Sequence, residues 1–248
     1  MPEGAAGPWL FILILQGGDE AESSLRFYKN YSGVVSLHIP DGFLDAKTWV
    51  GTAVVSAGAL SYSINKVREA FSERTVPVMG VLAAFIFAAQ MVNFPIAGGT
   101  SGHLLGAALA TVLLGPWASG LIISTVLIIQ CFFFNDGGLT ALGGNILNMA
   151  FVGSFLAYAV HRLVSGIAPG KRGEQVAIFL ASWASVVGAA FAATVELALS
   201  GTVPFGVAFA AMMGWHMLIG LGEGLITVIV VSYVRSVGLI ITASQERA

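Results

Sequence analysis

Two of the four histidines in the chain lie in loops that suit a metal-binding role. The first, His38, lies in the stretch 36–45, S-L-H-I-P-D-G-F-L-D, hereafter the spur. Proline restricts its own φ and the conformation of the preceding residue, so I-P predicts an extended segment, and P-D-G suits a tight turn. We therefore expect the spur to hold His38 rigidly.

The second histidine, His103, lies in the stretch 91–106, M-V-N-F-P-I-A-G-G-T-S-G-H-L-L-G. Pro95 and the G-G pair predict a break between two helices. Thr100 or Ser101 can cap the next helix, which would place His103 in its first turn. A helix N-terminus disfavours a protonated imidazole, so we expect His103 to be neutral, the form that binds metals. The alternative role for a single histidine at this position is to cap or line the loop.

The two histidines together could form a four-nitrogen metal site. If the mature chain begins one residue before His38, the terminal amine of Leu37 and the amide and imidazole nitrogens of His38 become available. The amine and amide close one chelate ring on a metal ion, and the amide and imidazole close a second, so the three nitrogens lie nearly in a plane. A nitrogen from His103 would complete a square, the geometry that Ni²⁺ and Cu²⁺ prefer.

The composition indicates which elements hold these loops. Of the 248 residues, 56% are hydrophobic and 10% are charged, and the mean hydropathy is +0.86. About a quarter of the residues of a soluble domain are charged, so we expect a polytopic membrane protein of the all-α class. The net charge of −2, without a long basic block, gives no indication of nucleic-acid binding. The single Cys131 excludes an internal disulfide and a thiolate cluster.

Seven apolar segments follow the spur and predict a bundle of about seven transmembrane helices, with six as the alternative. The segments are 47–64, 76–92, 103–114, 117–134, 145–164, 175–198 and 206–234. The third is short for a crossing, which needs about 20 residues. Gly115-Pro116 separates it from the fourth, so these two could form a tight hairpin or a partly re-entrant pair.

Basic residues predict the orientation of the bundle, because Lys and Arg accumulate in short cytoplasmic loops. With seven crossings, all the basic residues of the loops and the C-terminus fall on one side. They are Lys66, Arg68, Arg74, Arg162, Lys171, Arg172, Arg235 and Arg247. We expect that side to be the cytoplasm, so the N-terminus, His38 and the loop 93–103 lie outside and the C-terminus inside.

Residues 1–36 are predicted to be a leader that is absent from the mature protein. Their apolar patch, Trp9 to Leu15, is too short to span a bilayer. One explanation is a signal peptide cleaved after Ser36, where V-V-S suits a signal peptidase. The other is a translation start at Leu37, since leucine codons are occasional bacterial starts. Both leave residues 37–248 as a transmembrane metal-binding domain.

Several polar side chains lie within the predicted spans, where ionisable groups are costly and face protein or a cavity. Glu223 could hydrogen-bond between helices or face a coupling subunit, and Glu196 should also face protein or a cavity. Gln130, Asn145 and Asn148 are expected to bond between helices rather than to touch metal.

The two other histidines and the glycines receive structural roles. His216 could be a third imidazole at the site, but packing or support of the ligands is favoured. His161 is predicted to be a solvated loop residue. The spacings Gly102-x-x-x-Gly106 and Gly220-x-Gly222-x-Gly224 predict close packing of helices.

Four stretches resemble the signature segments of a known family. They are L-H-I-P-D-G-F-L-D in the spur, N-F-P-I-A-G-G-T-S-G-H-L-L-G around His103, F-N-D-G-G-L-T-A-L-G-G-N from Phe134 to Asn145, and H-M-L-I-G-L-G-E-G-L-I-T from His216 to Thr227. These stretches are similar to the CbiM/NikM family, the substrate-binding membrane components of energy-coupling-factor cobalt and nickel transporters. The resemblance runs from about Leu37 to the end of the chain.

The resemblance implies a metal held by the terminal amine, the amide and imidazole of the following histidine, and the loop histidine, which fall on Leu37, His38 and His103. It implies Ni²⁺ or Co²⁺ as the transported substrate, without an organic cofactor, at a bacterial or archaeal plasma membrane. The implied partners are cytoplasmic ATP-binding subunits, a transmembrane coupling subunit and often a small accessory membrane protein. Family members normally begin Met-His-Ile-Pro, whereas this chain has leucine at 37 and 36 residues before it.

The function class is predicted from the motifs that the sequence contains and lacks. It has no G-x-x-x-x-G-K-[ST] phosphate-binding loop, so we expect a transporter subunit rather than an enzyme, with ATP hydrolysed by its partners. A metal-dependent membrane enzyme would need a nucleophile or an H-E-x-x-H pair within a span, and the sequence has neither. A stand-alone metal channel or secondary carrier would need an ionisable path across the bilayer, for which Glu223 alone is a candidate.

Overall fold

The described residues form a bundle of seven helices. The computed structural model describes residues 37–71, 75–92, 94–96 and 100–238, and for residues 94–96, 100 and 101 it describes the backbone alone. The proposed leader, residues 1–36, lies outside the described residues. The helices are α1 Ala46–Ala70, α2 Thr75–Met91, α3 Ala107–Leu114, α4 Pro116–Phe134, α5 Leu142–Ile167, α6 Lys171–Leu199 and α7 Phe205–Ser236. Each overlaps one of the predicted apolar segments.

Four of these helices are long and apolar enough to cross a membrane, namely α4, α5, α6 and α7. α2 is apolar but has 17 residues, and α3 has eight, fewer than the roughly 20 that a crossing needs. α1 has 25 residues but is more polar, and its buried residues are Thr52, Ser56 and Ser63. The helical fold class is therefore confirmed, whereas seven crossings and the orientation stay predictions.

α1 begins where the spur ends. The Asp45 carboxylate accepts a hydrogen bond from the N–H of Thr48 at 3.0 Å and so caps the helix. Further along α1, the Ser56 hydroxyl donates to the carbonyl of Gly143 on α5 at 2.7 Å. A Cβ on Gly143 would lie 2.5 Å from Ala53 Cα, so this contact requires glycine. α1, which continues the spur, is thereby fixed against the beginning of α5.

α3 and α4 form the predicted tight hairpin. Gly115 turns the chain between them with φ +86°, a conformation that favours glycine, and Pro116 begins α4. The Ser119 hydroxyl donates to the carbonyl of Ala107, at the beginning of α3, at 2.9 Å. Six of the eight residues of α3 are buried, which is expected of a helix that is apolar on every face. α3 therefore lies inside the bundle.

α6 and α7 pack along their length through small residues, as the glycine spacing predicts. A Cβ on Gly220 would lie 3.0 Å from Trp183 Cδ1, and a Cβ on Gly224 would lie 2.7 Å from Phe179 Cδ2. Gly222 has open space around it. Gly106 makes a close contact with Ile86, but it lies outside any helix, so the helical interpretation of Gly102-x-x-x-Gly106 is wrong.

A short antiparallel ribbon, not predicted from the sequence, lies between α2 and α3. It consists of β1 Phe94–Ile96 and β2 Thr100–Gly102, with Ile96 opposite Thr100. The T-S pair expected to cap a helix belongs to β2, and α3 begins four residues after His103. The prediction that His103 lies in the first turn of a helix is therefore wrong. It lies in the irregular segment 103–106.

α5 contains a π-helical segment, Ile146–Val152, directly after Asn145. Such segments insert an extra residue into an α-helix and are frequent at functional sites. Here the segment follows the part of α5 that contacts the spur. Asn145, just before the segment, bonds the backbone of Ile39, and Asn148, within the segment, bonds Glu196.

Candidate metal centre

The spur is fixed to the bundle through the backbone of Ile39. Its N–H donates to Asn145 Oδ1 at 2.9 Å, and its carbonyl accepts from Asn145 Nδ2 at 3.1 Å and from the N–H of Gly138 at 2.9 Å. Ile39 is fully buried, so these bonds replace water for groups that would otherwise be unsatisfied. The side chain of Asn145 thus pairs with the spur as a neighbouring strand would.

The loop between α4 and α5 completes this attachment. A Cβ on Gly138 would overlap the backbone of Asp41, so the loop approaches the spur as closely as glycine allows. The Asp41 carboxylate accepts hydrogen bonds from the N–H and the hydroxyl of Thr140 at 2.7 and 2.6 Å. These bonds to the ionised form lower the pKa of Asp41.

Apolar side chains anchor the spur in the core. Leu37, Ile39, Phe43 and Leu44 are all buried and belong to the main hydrophobic cluster. This packing agrees with the expectation of a rigid segment. Whether Leu37 carries a free amine depends on residues 1–36, which are not described, so its role as a ligand stays a prediction.

The structure brings His38 and His103 together, although 65 positions separate them in the numbering. Their ring centroids lie 4.6 Å apart, and the rings meet edge to face with an interplanar angle of 87°. His38 is 4% exposed and His103 is 5% exposed, so both imidazoles are shielded from solvent. The two histidines that the sequence selects therefore occupy one enclosed site.

Burial makes both imidazoles neutral. Burial first, and the nearby His103 second, lower the pKa of His38 to about 3. Burial also lowers the pKa of His103. The sequence argument attributes the neutral state of His103 to a helix N-terminus. In the structure, the cause is desolvation of the buried imidazole. Neutral imidazole has the lone pair that a metal ion requires.

His103 has one ring nitrogen without a hydrogen-bond partner. Its Nδ1 lies 3.0 Å from the carbonyl of Leu104, and because a carbonyl can only accept, Nδ1 carries the proton. The lone pair is therefore on Nε2, which is buried and has no hydrogen-bond partner among the described residues. A buried imidazole nitrogen of this kind is a suitable metal ligand.

Asp136, to which the sequence argument gives no role, also lies at the site. Its Oδ1 is 3.3 Å from Nδ1 of His38. Because His38 is neutral, we interpret this contact as dipolar rather than as an ion pair. Burial raises the pKa of Asp136, although its side chain stays 28% exposed. Its position in the F-N-D-G-G stretch, next to the paired glycines, is the sequence signal for it.

Two side chains hold the backbone after His103. Glu223 on α7 accepts the N–H of Leu105 at 2.6 Å and the N–H of Gly106 at 2.9 Å. Gln90 on α2 donates to the carbonyl of Leu105 at 2.7 Å. Of the two roles proposed for Glu223, the structure supports hydrogen bonding within the bundle.

The other polar residues of the spans have mostly structural partners. Asn148 donates to Glu196 on α6 at 2.9 Å, the predicted bond between helices, whereas Asn145 bonds the spur instead. Gln130 is fully buried, and its side-chain amide has no hydrogen-bond partner among the described residues. His216 lies buried in α7 with Nδ1 2.7 Å from the carbonyl of Met212, which agrees with a packing role.

His161 differs from its prediction. It lies within α5 rather than in a loop, and its Nε2 is 3.1 Å from Glu174 on α6. Arg235 at the end of α7 donates to the same carboxylate at 2.8 Å. The ends of α5, α6 and α7 that carry predicted cytoplasmic residues therefore meet at one end of the bundle.

Side chains alone do not form a complete metal site in the described part of the chain. No group of three or more His, Cys, Asp or Glu side chains converges there as a metal cluster would. The amine and amide nitrogens that the sequence argument adds to His38 and His103 therefore stay a prediction.

Comparisons with known proteins bear on the family of the chain. The CbiM family model, described as the cobalt uptake substrate-specific transmembrane region, matches residues 38–239. A putative fused nickel transport protein NikMN of Archaeoglobus fulgidus is 44% identical over 202 residues, which cover 81% of this chain and 66% of the relative. The chain thus spans slightly under two thirds of that relative's length.

Two solved structures share the fold. The crystal structure of a truncated transition metal transporter has a TM-score of 0.74 and 33% identity, covering 80% of this chain and 98% of the other. The S-component for biotin from an ECF-type ABC transporter has a TM-score of 0.50 at 17% identity, covering 66% and 95%, a likeness of fold alone. Because the family model extends over both histidines and all the described helices, the chain belongs to the CbiM family of nickel and cobalt transport proteins.

Proposed function

We propose that the chain is the substrate-capture subunit of an ATP-driven uptake transporter for Ni²⁺ or Co²⁺. The ion would bind at the outer face through the amine of Leu37, the amide and imidazole of His38 and the imidazole of His103. The proposed membrane topology has seven crossings, with the spur outside and the C-terminus in the cytoplasm.

The carrying observation is the distance between the two imidazoles. Chelation by the amine, amide and imidazole of one dipeptide fills three successive corners of a square, so His103 would occupy the corner next to the His38 ring. Two imidazoles on adjacent corners, with metal–nitrogen distances of about 2 Å, have ring centroids roughly 4.5 Å apart. The distance in the structure is 4.6 Å. The separation of the two rings therefore supports a shared ion.

The protonation states support the same site. Both histidines are neutral, and Nε2 of His103 has no hydrogen-bond partner among the described residues. Binding would then require protons to leave the terminal amine and the His38 amide, not the imidazoles. The nearby carboxylate of Asp136 would favour the arrival of a cation.

The proposed mature N-terminus is Leu37, or a methionine at that position. Leu37 is buried within the core cluster, so the beginning of the mature chain would lie inside the bundle. Residues 1–36 would have to be removed, or never translated, to free the amine. N-terminal sequencing of the purified protein tests this step, and an intact Met1 would contradict it.

The proposed partners would supply ATP binding and hydrolysis. Its sequence has no phosphate-binding loop, so cytoplasmic ATP-binding subunits and a transmembrane coupling subunit would drive release, with a small accessory membrane protein in some assemblies. The likeness in fold to an S-component from an ECF-type transporter supports such partners. The alternative is a stand-alone channel or secondary carrier, and metal uptake by cells that express this chain without partners would favour it.

Calorimetric titration of the purified chain with Ni²⁺ and Co²⁺ tests the metal site. His103→Ala should abolish high-affinity binding, because it removes the fourth nitrogen. One residue added before the mature terminus should also weaken binding strongly, because the amine is displaced from the chelate. His161→Ala is the matched control, since this histidine contacts Glu174 away from the site. Wild-type affinity in His103→Ala would refute the assignment.

A further inference from the structure

We propose that Glu223 is the positioning residue of the metal site, holding the backbone after His103 so that its imidazole meets His38. The consequence for metal affinity rests on the proposed function. The role in holding the segment 103–106 rests on the hydrogen bonds alone.

The contacts of Glu223 are specific to this segment. Its Oε2 accepts the N–H of Leu105 at 2.6 Å and its Oε1 accepts the N–H of Gly106 at 2.9 Å, across 118 and 117 positions of sequence. The side chain is 2% exposed. Each carboxyl oxygen thus has its own backbone donor, and the acceptor comes from the last helix of the bundle.

The segment needs such a partner because it lacks one of its own. Gly106 is the N-cap of α3, has φ +78°, and has no side chain to accept the orphaned N–H groups at the helix start. A carboxylate at this end also interacts favourably with the helix dipole. Glu223 therefore bonds the N-cap residue of α3 and the residue before it from another helix, and these bonds begin two residues after His103.

Gln90 bonds the carbonyl group of Leu105, whose N–H is bonded to Glu223. It donates to the Leu105 carbonyl at 2.7 Å from α2, so both backbone groups of Leu105 are bonded to side chains of different helices. An apolar cleft of about 390 Å³ lies between α2 and α7, and Glu223 and His103 are the ionisable residues that line it. Glu223 thus connects α7 to the ligand-bearing segment across a gap in the packing.

The first test measures metal binding by the full chain after its natural N-terminal processing. Glu223→Gln places an NH₂ donor against a backbone N–H and should weaken Ni²⁺ binding about 10- to 100-fold, the usual effect of losing a group that orients a ligand. With Cu²⁺ as a probe, its visible and EPR spectra should change to those of His103→Ala. Wild-type affinity and spectra in Glu223→Gln would overturn the proposal.

Thr227→Val is the matched control, because Thr227 lies one turn further along α7 and bonds Ser182 at 3.2 Å without touching the segment. It should retain the wild-type spectra. The double variant His103→Ala/Glu223→Gln should bind no more weakly than His103→Ala, since Glu223 acts through His103. Additive losses would show that Glu223 acts on the ion by another route and would overturn the proposal.

A metal-free measurement separates this inference from the proposed function. Hydrogen exchange of the amides of residues 103–106 should be faster in Glu223→Gln than in wild type and unchanged in Thr227→Val. Unchanged exchange in Glu223→Gln would overturn the positioning role. A wild-type chain that binds neither Ni²⁺ nor Co²⁺ would overturn the proposed function, while the exchange result would still decide whether Glu223 holds the segment.

Discussion

The hydrogen bonds between Asn145 and Ile39 allow a quantitative prediction of how firmly the spur is held. In Asn145→Ala, the buried N–H of Ile39 loses its acceptor, whereas the Ile39 carbonyl keeps the N–H of Gly138. An orphaned buried amide costs about 1–3 kcal/mol, and the lost bond from Nδ2 adds about 1 kcal/mol. We therefore expect docking of the spur to weaken by about 2–4 kcal/mol.

Amide hydrogen exchange of the metal-free protein in detergent measures this change. Since 1.4 kcal/mol is a factor of ten, the Ile39 amide should exchange roughly 30- to 700-fold faster in Asn145→Ala. Other buried amides of the bundle should change much less, because the lost hydrogen bonds join Asn145 to Ile39 and not to another helix. Metal affinity should fall in parallel, since His38 is adjacent to Ile39.

Asn148→Ala is the matched control for this variant. Asn148 is a buried asparagine on the same helix, three positions further on, but its amide bonds Glu196 and not the spur. We expect a lower melting temperature without faster exchange in the spur. Wild-type exchange of Ile39 in Asn145→Ala, or equal acceleration in both variants, would refute the assigned role of Asn145.

Three further predictions concern the same site. Asp136→Asn should weaken Ni²⁺ binding roughly 5- to 30-fold in a titration. Its Oδ1 lies 3.3 Å from Nδ1 of His38 and its side chain is 28% exposed, and a unit charge at roughly 4 Å from an ion contributes up to about 4 kcal/mol before solvent reduces it. Gly138→Ala should displace the spur and lower the melting temperature, because its Cβ would overlap the Asp41 backbone, whereas Gly58→Ala, in open space on α1, should not. The metal-free protein should lose stability as the pH falls below 6.5, by up to about 1.4 kcal/mol per pH unit for His38. The sign follows because the unfolded chain binds a proton at its ordinary pKa of 6.5, whereas the folded chain does so near pH 3; melting curves of His38→Asn should show a smaller dependence.

The sequence predicts the helices well because their signal is local. Each apolar segment corresponds to a helix, and Gly115-Pro116 marks the hairpin between α3 and α4. The rigid spur is also predictable, since proline and glycine restrict the chain within a few residues. The pairing of His38 with His103 follows from placing both in loops on the same side of the bundle, and the structure brings them together.

The parts that the sequence does not predict depend on distant residues. Asn145 reads as a polar residue between helices, and nothing near it in sequence identifies Ile39 as its partner. Glu223 bonds the N–H groups of Leu105 and Gly106 from another helix, so no motif near α3 in the sequence identifies it as their partner. Thr100 and Ser101 have a strong local tendency to cap a helix, but in the structure they belong to β2 and pair with β1. The next helix therefore begins only at Ala107.

The site is assembled from the beginning, middle and end of the chain, which affects its biogenesis. Ile39 and Asn145 are 106 positions apart, and Leu105 and Glu223 are 118 apart. Synthesis proceeds from the N-terminus, so the spur has no docking partner until α5 is made, and the segment after His103 has no cap until α7 is made. We therefore expect a nascent chain to remain unable to trap an ion until its last helix has entered the membrane.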